Sequence, residues 1–277
     1  MTDDSAVPLV GRDLAIGYRQ RLIIDGLDVT IRRGGVTTII GPNGCGKSTL
    51  LRGLGRLLPT TRGSVVLNGT DIATMRSRDI ARQLGILPQS PVAPEGLTVA
   101  ELVSRGRHPH QSWVQQWSGE DEREIVSALA LTGMRGLEDR PLDELSGGQR
   151  QRAWIAMTLA QETPILLLDE PTTFLDLAHA VDVLELVDRL NRELDRTVVM
   201  VLHDLNLAAR YSDQIIVMHD GAIVTAGAPE DVITAELLLQ VFGLSAKVII
   251  DDDGGLLVAP TARRTHRQQP RARGSHI

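Results

Sequence analysis

The sequence predicts an α/β fold: a mostly parallel sheet core, an antiparallel β lead-in before it, and an α-helical subdomain inserted into it. Three observations predict this. The β-branched run 36–40 passes into a glycine loop at 41–49 and then into the apolar residues Leu50, Leu51 and Leu54, a strand–loop–helix order. The aliphatic run at 165–168 and the largely apolar run at 197–202 flank a segment long enough for a helix, 178–194, as buried parallel strands do. Between 90 and 162 no strand pattern occurs, and helical segments at 98–104, 120–132 and 149–161 read as one inserted unit.

The loop Gly41-Pro42-Asn43-Gly44-Cys45-Gly46-Lys47-Ser48-Thr49 reads G-x-x-x-x-G-K-[ST]. Its glycines let the backbone curl so that several N–H groups converge, and the following helix adds the positive end of its dipole. A nucleotide polyanion fits there, with Lys47 bridging the outer phosphates and the Ser48 hydroxyl holding Mg²⁺. The chain has 27 Arg and only two Lys, Lys47 and Lys247. Where a cation merely needs to be basic the sequence uses Arg, so Lys47 reads as a compact point charge on a flexible stem.

Composition narrows the function. The formal charge of −6 argues against a general nucleic-acid binder. The first residues lack the basic and apolar regions of an export signal, and no apolar run approaches the ~20 residues of a membrane span. A single cysteine, Cys45, allows no intrachain disulfide and suits a reducing cytosol. It reads as loop filler, although a helix N-terminus can lower a thiol pKa.

Before the loop, strands at 14–18, 22–24 and 27–31 form the lead-in. Tyr18 ends the first, placed either to stack on an adenine or to pack in the small sheet. After the loop, a helix at 49–58 stops at Pro59, a strand at 64–67 closes on the turn Asn68-Gly69, a helix covers 79–84, and a strand at 85–89 ends in Gln89. The segment Gly106-Arg107-His108-Pro109-His110-Gln111-Ser112-Trp113 mixes cations, histidines and an aromatic. It reads as a partner-facing loop rather than as a metal site on His108 and His110, which lack a further ligand.

Ser146-Gly147-Gly148-Gln149 opens the helix 149–161 and is a second anion cradle by the same physics as the first. The strand 165–168 ends in Asp169 and Glu170. Strand alternation turns their side chains to opposite faces, so Asp169 suits a Mg²⁺ shell and Glu170 suits polarising a water. Leu175-Asp176 follows in a turn. His203 ends the strand 197–202 and is aimed at a γ-phosphate. Strands at 214–218 and 222–226, a helix at 235–242 and a strand at 247–250 close the pattern, and five Arg beyond Thr261 with no acid read as a disordered basic tail.

With these parts in this order, the chain resembles the ATP-binding subunits of ABC transporters over residues 8–250. The resemblance rests on the phosphate loop, Gln89, Leu145-Ser146-Gly147-Gly148-Gln149, the run 165–170, Leu175-Asp176 and His203. It implies the ABC ATPase nucleotide-binding fold with a RecA-like core (8–89 and 163–250), a helical subdomain at 90–162 and a tail at 254–277. It assigns Tyr18 to adenine stacking, Gln89 to sensing Mg²⁺ and a membrane partner, Glu170 to the catalytic base, and Asp176 to crosstalk between subunits. It also implies that Ser146, Gly147, Gly148 and Gln149 close over ATP held by a second copy in a head-to-tail dimer, so each cradle serves once per composite site.

Finer wording points further. Thr98-Val99-Ala100-Glu101-Leu102-Val103, Arg105-Gly106-Arg107-His108-Pro109-His110 and His203-Asp204-Leu205-Asn206-Leu207-Ala208 are similar to ferric-siderophore importers, most closely the ferric-enterobactin type. The implied partners are a separate membrane permease and, indirectly, a substrate-binding protein carrying ferric siderophore, with the chain on the cytoplasmic face of the membrane. Vitamin B12 and haem importers are near relatives, and the soluble iron–sulfur assembly ATPase is a rival of similar size.

Overall fold

The computed structural model describes residues 8–19, 21–111, 117–252 and 254–261. An antiparallel sheet is built from β1 (Leu9–Tyr18), β2 (Arg21–Ile31), β4 (Thr60–Leu67) and β5 (Thr70–Asp71), in the order β2-β1-β4-β5. The central sheet holds β3 (Val36–Ile40), β6 (Leu84–Leu87), β7 (Ile165–Leu168), β8 (Thr197–Val201), β9 (Gln214–His219) and β10 (Ala222–Gly227). Its order is β10-β9-β3-β8-β7-β6, parallel throughout except for β10 at one edge.

The helices are α1 (Lys47–Leu54), α2 (Ser77–Ala81), α3 (Val99–Arg105), α4 (Gly119–Leu131), α5 (Gly147–Ala160), α6 (Leu177–Leu194), α7 (Leu205–Arg210), α8 (Pro229–Val232) and α9 (Ala235–Phe242). A hairpin of β11 (Ala246–Ile250) and β12 (Leu256–Pro260) follows. None of the described helices is long and apolar enough to cross a membrane.

Every residue of β3, β7 and β8 is buried, which explains why these strands read as runs of aliphatic and β-branched residues with no charge. Side-chain alternation then divides the sheet between two cores. Ile39, Leu167, Val199 and Val201 face α1 and the antiparallel sheet. Ile40, Leu166, Leu168, Val198 and Met200 face α6 and the helices of the inserted subdomain. At roughly 1.5–3 kcal/mol for each fully buried aliphatic side chain, these two layers are what hold the strand ends in place.

The inserted subdomain uses one device three times. Thr98, Ser118 and Ser146 each cap a helix (α3, α4 and α5), and the residue three positions on, Glu101, Asp121 or Gln149, reaches back to the cap's backbone N–H. Each box satisfies two donors that a helix start otherwise leaves open.

Several boundaries differ from the sequence reading, for local reasons. The lead-in strands at 14–18, 22–24 and 27–31 are two long strands, because Asp25-Gly26 is a bulge inside β2 and not a turn: Gly26 has φ 75 and the register with β1 shifts there. Helix α1 starts at Lys47 and ends before Gly55, with Arg56 at φ 54, well short of Pro59. Helix α2 covers Ser77–Ala81 and not 79–84, since Leu84 already pairs with Ile165. Order also continues past Asp253: β12 pairs with β11, and Asn206 of α7 receives Val258 N–H (2.6 Å) and donates to Val258 C=O (3.4 Å). The rest of the predicted tail, 262–277, lies outside the described residues.

The segment after α3 departs most. Arg107 does not present its cation to a partner; its side chain is 2 % exposed. Its Nε donates to Asp121 Oδ1 (2.8 Å), and its Nη1 donates to Glu162 Oε2 (2.6 Å) and to the Ala160 carbonyl (2.7 Å). His110 Nε2 lies 2.8 Å from the Gln161 carbonyl, which only accepts, so it is a donor within the fold. Ser112 and Trp113 lie outside the described residues. No group of three or more potential metal ligands of the His, Cys, Asp and Glu types forms among the described residues.

Candidate functional site

Sheet order assembles the site. The strands β3, β8, β7 and β6 are neighbours, and past their carboxyl ends stand Gly41, His203, Asp169 with Glu170, and Gln89 in turn. In an open parallel sheet this edge is where ligands bind. Residues separated by more than 160 positions therefore meet around one cleft.

The loop after β3 has little freedom. A Cβ at Gly41 would lie 2.2 Å from the Met218 carbonyl oxygen, so only glycine fits between the loop and β9. Gly46 caps α1 at φ 108, a conformation that costs other residues dearly. Lys47 is buried, and its Nζ donates to the carbonyls of Gly41 (2.8 Å) and Pro42 (3.0 Å). The ammonium is thus held at the floor of its own loop.

Ser48 Oγ donates to Asp169 Oδ1 at 2.7 Å, and Arg52 Nη2 approaches Oδ2 at 3.3 Å. Burial pushes the Asp169 carboxyl above its usual range, outweighing the contributions of Ser48 and Arg52. Arg52 also reaches Tyr18 Oη, at 3.4 Å.

Glu170 lies past the end of β7 at φ 55. The separation of Asp169 from Glu170 therefore comes from a left-handed backbone step and not from strand alternation. His203 Nε2 sits 2.7 Å from Glu170 Oε1, while Gln89 Nε2 (2.6 Å) and Thr173 Oγ1 (2.8 Å) donate to Oε2. Burial alone would raise this carboxyl, but the bonds from Thr173, His203 and Gln89 hold it below the usual range. Glu170 is therefore a carboxylate, and since a carboxylate only accepts, His203 Nε2 carries a hydrogen.

An open cleft of about 560 Å³ lies over these groups, lined by Tyr18, Asn43, Gly44, Gly46, Lys47, Ser48, Thr49, Gln89, Glu170 and His203, and by two residues that the sequence did not mark as site residues, Arg21 and Ile23. That volume is in the range of small-ligand sites. Tyr18 remains 43 % exposed, as the wall of an open cleft would. Cys45 is buried behind the loop, and burial raises its thiol pKa although Lys47 opposes this.

The second cradle is elsewhere. Neither Ser146, Gly147, Gly148 and Gln149 nor Asp176 lines the cleft. Ser146 Oγ accepts from Gln149 N–H (3.3 Å) and Gln149 Oε1 from Ser146 N–H (3.1 Å). Asp176 caps α6 and accepts from His179 N–H (2.9 Å).

Sequence reasoning missed Arg52 and Thr173. Arg52 lies one helical turn beyond Ser48, an i,i+4 spacing that places both on one face of α1. Thr173 lies three residues beyond Glu170 and carried no comparable signal.

A phosphate loop on a parallel sheet, with a carboxylate and a histidine at the next strand ends, defines a nucleoside-triphosphate hydrolase of the phosphate-loop class. The ABC transporter family model matches residues 24–173, more than half of the sequence. The chain belongs to that family, and it is an ATP-binding, ATP-hydrolysing subunit.

Among relatives, it is 52 % identical to the Achromobactin transport ATP-binding protein CbrD of Dickeya dadantii (strain 3937) over 88 % of this chain and 90 % of that one. It is 49 % identical to the Ferric enterobactin transport ATP-binding protein FepC of Escherichia coli (strain K12) over 94 % and 96 %. Among solved structures, an inward-facing putative metal-chelate type ABC transporter superposes with TM-score 0.80 at 26 % identity, over 93 % of this chain and 98 % of that one. The dimeric bacterial ABC transporter cassette MJ0796 superposes with TM-score 0.71 at 27 % identity, over 80 % and 98 %.

Proposed function

We propose that the chain is the energy-coupling ATPase of a ferric-siderophore importer, working at the cytoplasmic face of the membrane through a separate permease fed by a substrate-binding protein. The observation that carries the catalytic part is the fixing of Glu170 by three donors at the mouth of the phosphate cradle. A carboxylate offers about four lone-pair sites. Oε2 takes Gln89 and Thr173, and Oε1 takes His203 alone, which leaves Oε1 as the atom to accept a proton from an attacking water.

The remaining roles follow from position. Backbone N–H groups of 43–49 and the start of α1 receive phosphates, Lys47 neutralises the outer ones, and Tyr18 presents an aromatic face to the adenine. His203 holds the γ-phosphate end of the site. Ser48 Oγ, the Asp169 carboxylate and the Gln89 side-chain oxygen are hard oxygen donors of the kind Mg²⁺ takes, so they fit that ion and would hold it. When bound, Mg²⁺ would neutralise charge across the phosphate oxygens.

The cradle at 146–149 stands apart from the cleft, as a surface that serves a second copy would. We assign it, with Asp176, to the nucleotide of a head-to-tail partner. The similarity to siderophore-transport subunits over nearly the whole chain supports the substrate class.

Deletion of the gene followed by growth on defined iron sources tests that class. Loss of growth on one ferric siderophore, restored by the wild-type gene, is the expected result. Unimpaired use of every ferric siderophore would contradict it, and loss of vitamin B12 or haem uptake would move the reading to those importers. Recovery only in a soluble complex, never with a polytopic membrane protein, would favour the iron–sulfur assembly type.

A further inference from the structure

The glycines of the second cradle pack against the turn that leads into α6. A Cβ built at Gly147 would lie 3.7 Å from Leu175 Cδ2, an ordinary contact. At Gly148 it would lie 2.6 Å from His179 Cδ2 and 3.2 Å from His179 Cγ, closer than carbon atoms approach without displacement. The imidazole of His179 fills the space that the missing side chain leaves.

The same ring reaches the other way. Its Nδ1 is 2.8 Å from Asp176 Oδ1, the oxygen that also caps α6. Backbone and side-chain bonds from His179 hold the Asp176 carboxyl below its usual range. The carboxylate therefore accepts and Nδ1 carries the hydrogen. The imidazole thus touches the signature glycine with one edge and Asp176 with the other, and its side chain is 44 % exposed, so little core packing depends on it.

We propose that His179 is a positioning residue: the joint through which the signature loop 146–149 and the Asp176 turn move as one body. This rests on the reading that both segments face the nucleotide of a second copy. Closure of the signature loop on one ATP then carries Asp176 with it, and through Asp176 the other site. The two sites close together because one imidazole ties their parts, and nucleotide binding within the single-chain cleft does not depend on it.

The test is ATP-dependent hydrolysis by the full chain, with binding of a fluorescent ATP analogue measured in parallel. The parent is expected to show a Hill coefficient of about 1.5–2, bounded by two sites, and a rate per chain that falls on dilution. In His179→Leu, which keeps bulk against Gly148 but cannot donate, the coefficient should drop to about 1 with analogue affinity within about twofold of the parent. In His179→Asn, whose amide N–H can stand where Nδ1–H stood, cooperativity should return.

Undiminished cooperativity in His179→Leu and His179→Ala would overturn the joint. So would equal loss in the Leu and Asn variants, because the hydrogen bond would then not be the tie. A parent with a coefficient of 1 and a dilution-independent rate would instead overturn the two-copy reading, and the joint with it.

Discussion

His203 Nε2 sits 2.7 Å from Glu170 Oε1, and the two residues come from the ends of adjacent strands, β8 and β7. Glu170 cannot turn toward solvent without breaking this contact and the two bonds to Oε2, so the carboxylate that we propose as general base is oriented before substrate arrives. Such preorganisation is where enzymes gain most of their rate.

His203→Ala should therefore lower kcat by about 10²–10³, the effect of removing one oriented donor at a charged reaction centre. Nucleotide affinity should change by less than about threefold, because the phosphate loop is untouched. Single-turnover hydrolysis and equilibrium binding on the same preparation check both numbers. A weakened affinity with unaltered kcat would place His203 in binding alone.

Arg107 should be the most sensitive position of the helical subdomain for stability. It is the shared partner of Asp121, Glu162 and the Ala160 carbonyl, and it is almost wholly buried. Removing one member of a buried charge cluster leaves the others unpaired, so Arg107→Met should cost about 3–5 kcal/mol, read from the urea midpoint at constant m-value.

The same cluster predicts a response to acid. Burial pushes the Asp121 carboxyl up, but its bonds from Arg107 and Ser118 outweigh this and leave it below the usual range. The folded pKa thus lies below the unfolded value of about 3.9, and the group adds stability above that value and loses it as pH falls through the folded one. Urea stability should decline below about pH 4, and Asp121→Asn should flatten that decline while lowering stability at pH 7. An identical acid slope in parent and variant would remove Asp121 from the account.

Much of this was legible in the sequence because chemistry-bearing residue types recur at strand ends. The phosphate loop, Gln89, Glu170 and His203 each follow a run rich in aliphatic or β-branched residues, and such runs read as buried strands. What could not be read was pairing across distance. Arg107 sits among His and Pro in an apparently polar loop, and its partners lie 14, 53 and 55 positions away. Asn206 looks like any helical polar residue until β12 lies beside it. Gly26 has the composition of a turn, and its place inside β2 is set by the pairing with β1.

The central claim is that Glu170 accepts the proton from water in a site that otherwise only positions and neutralises phosphate. Glu170→Gln tests it most directly, since the amide keeps the shape and loses the base. Hydrolysis and nucleotide binding should be measured together on the full-length chain. The account predicts a fall in turnover of roughly 10²–10⁴ with ATP binding retained. Hydrolysis at the parental rate would contradict it.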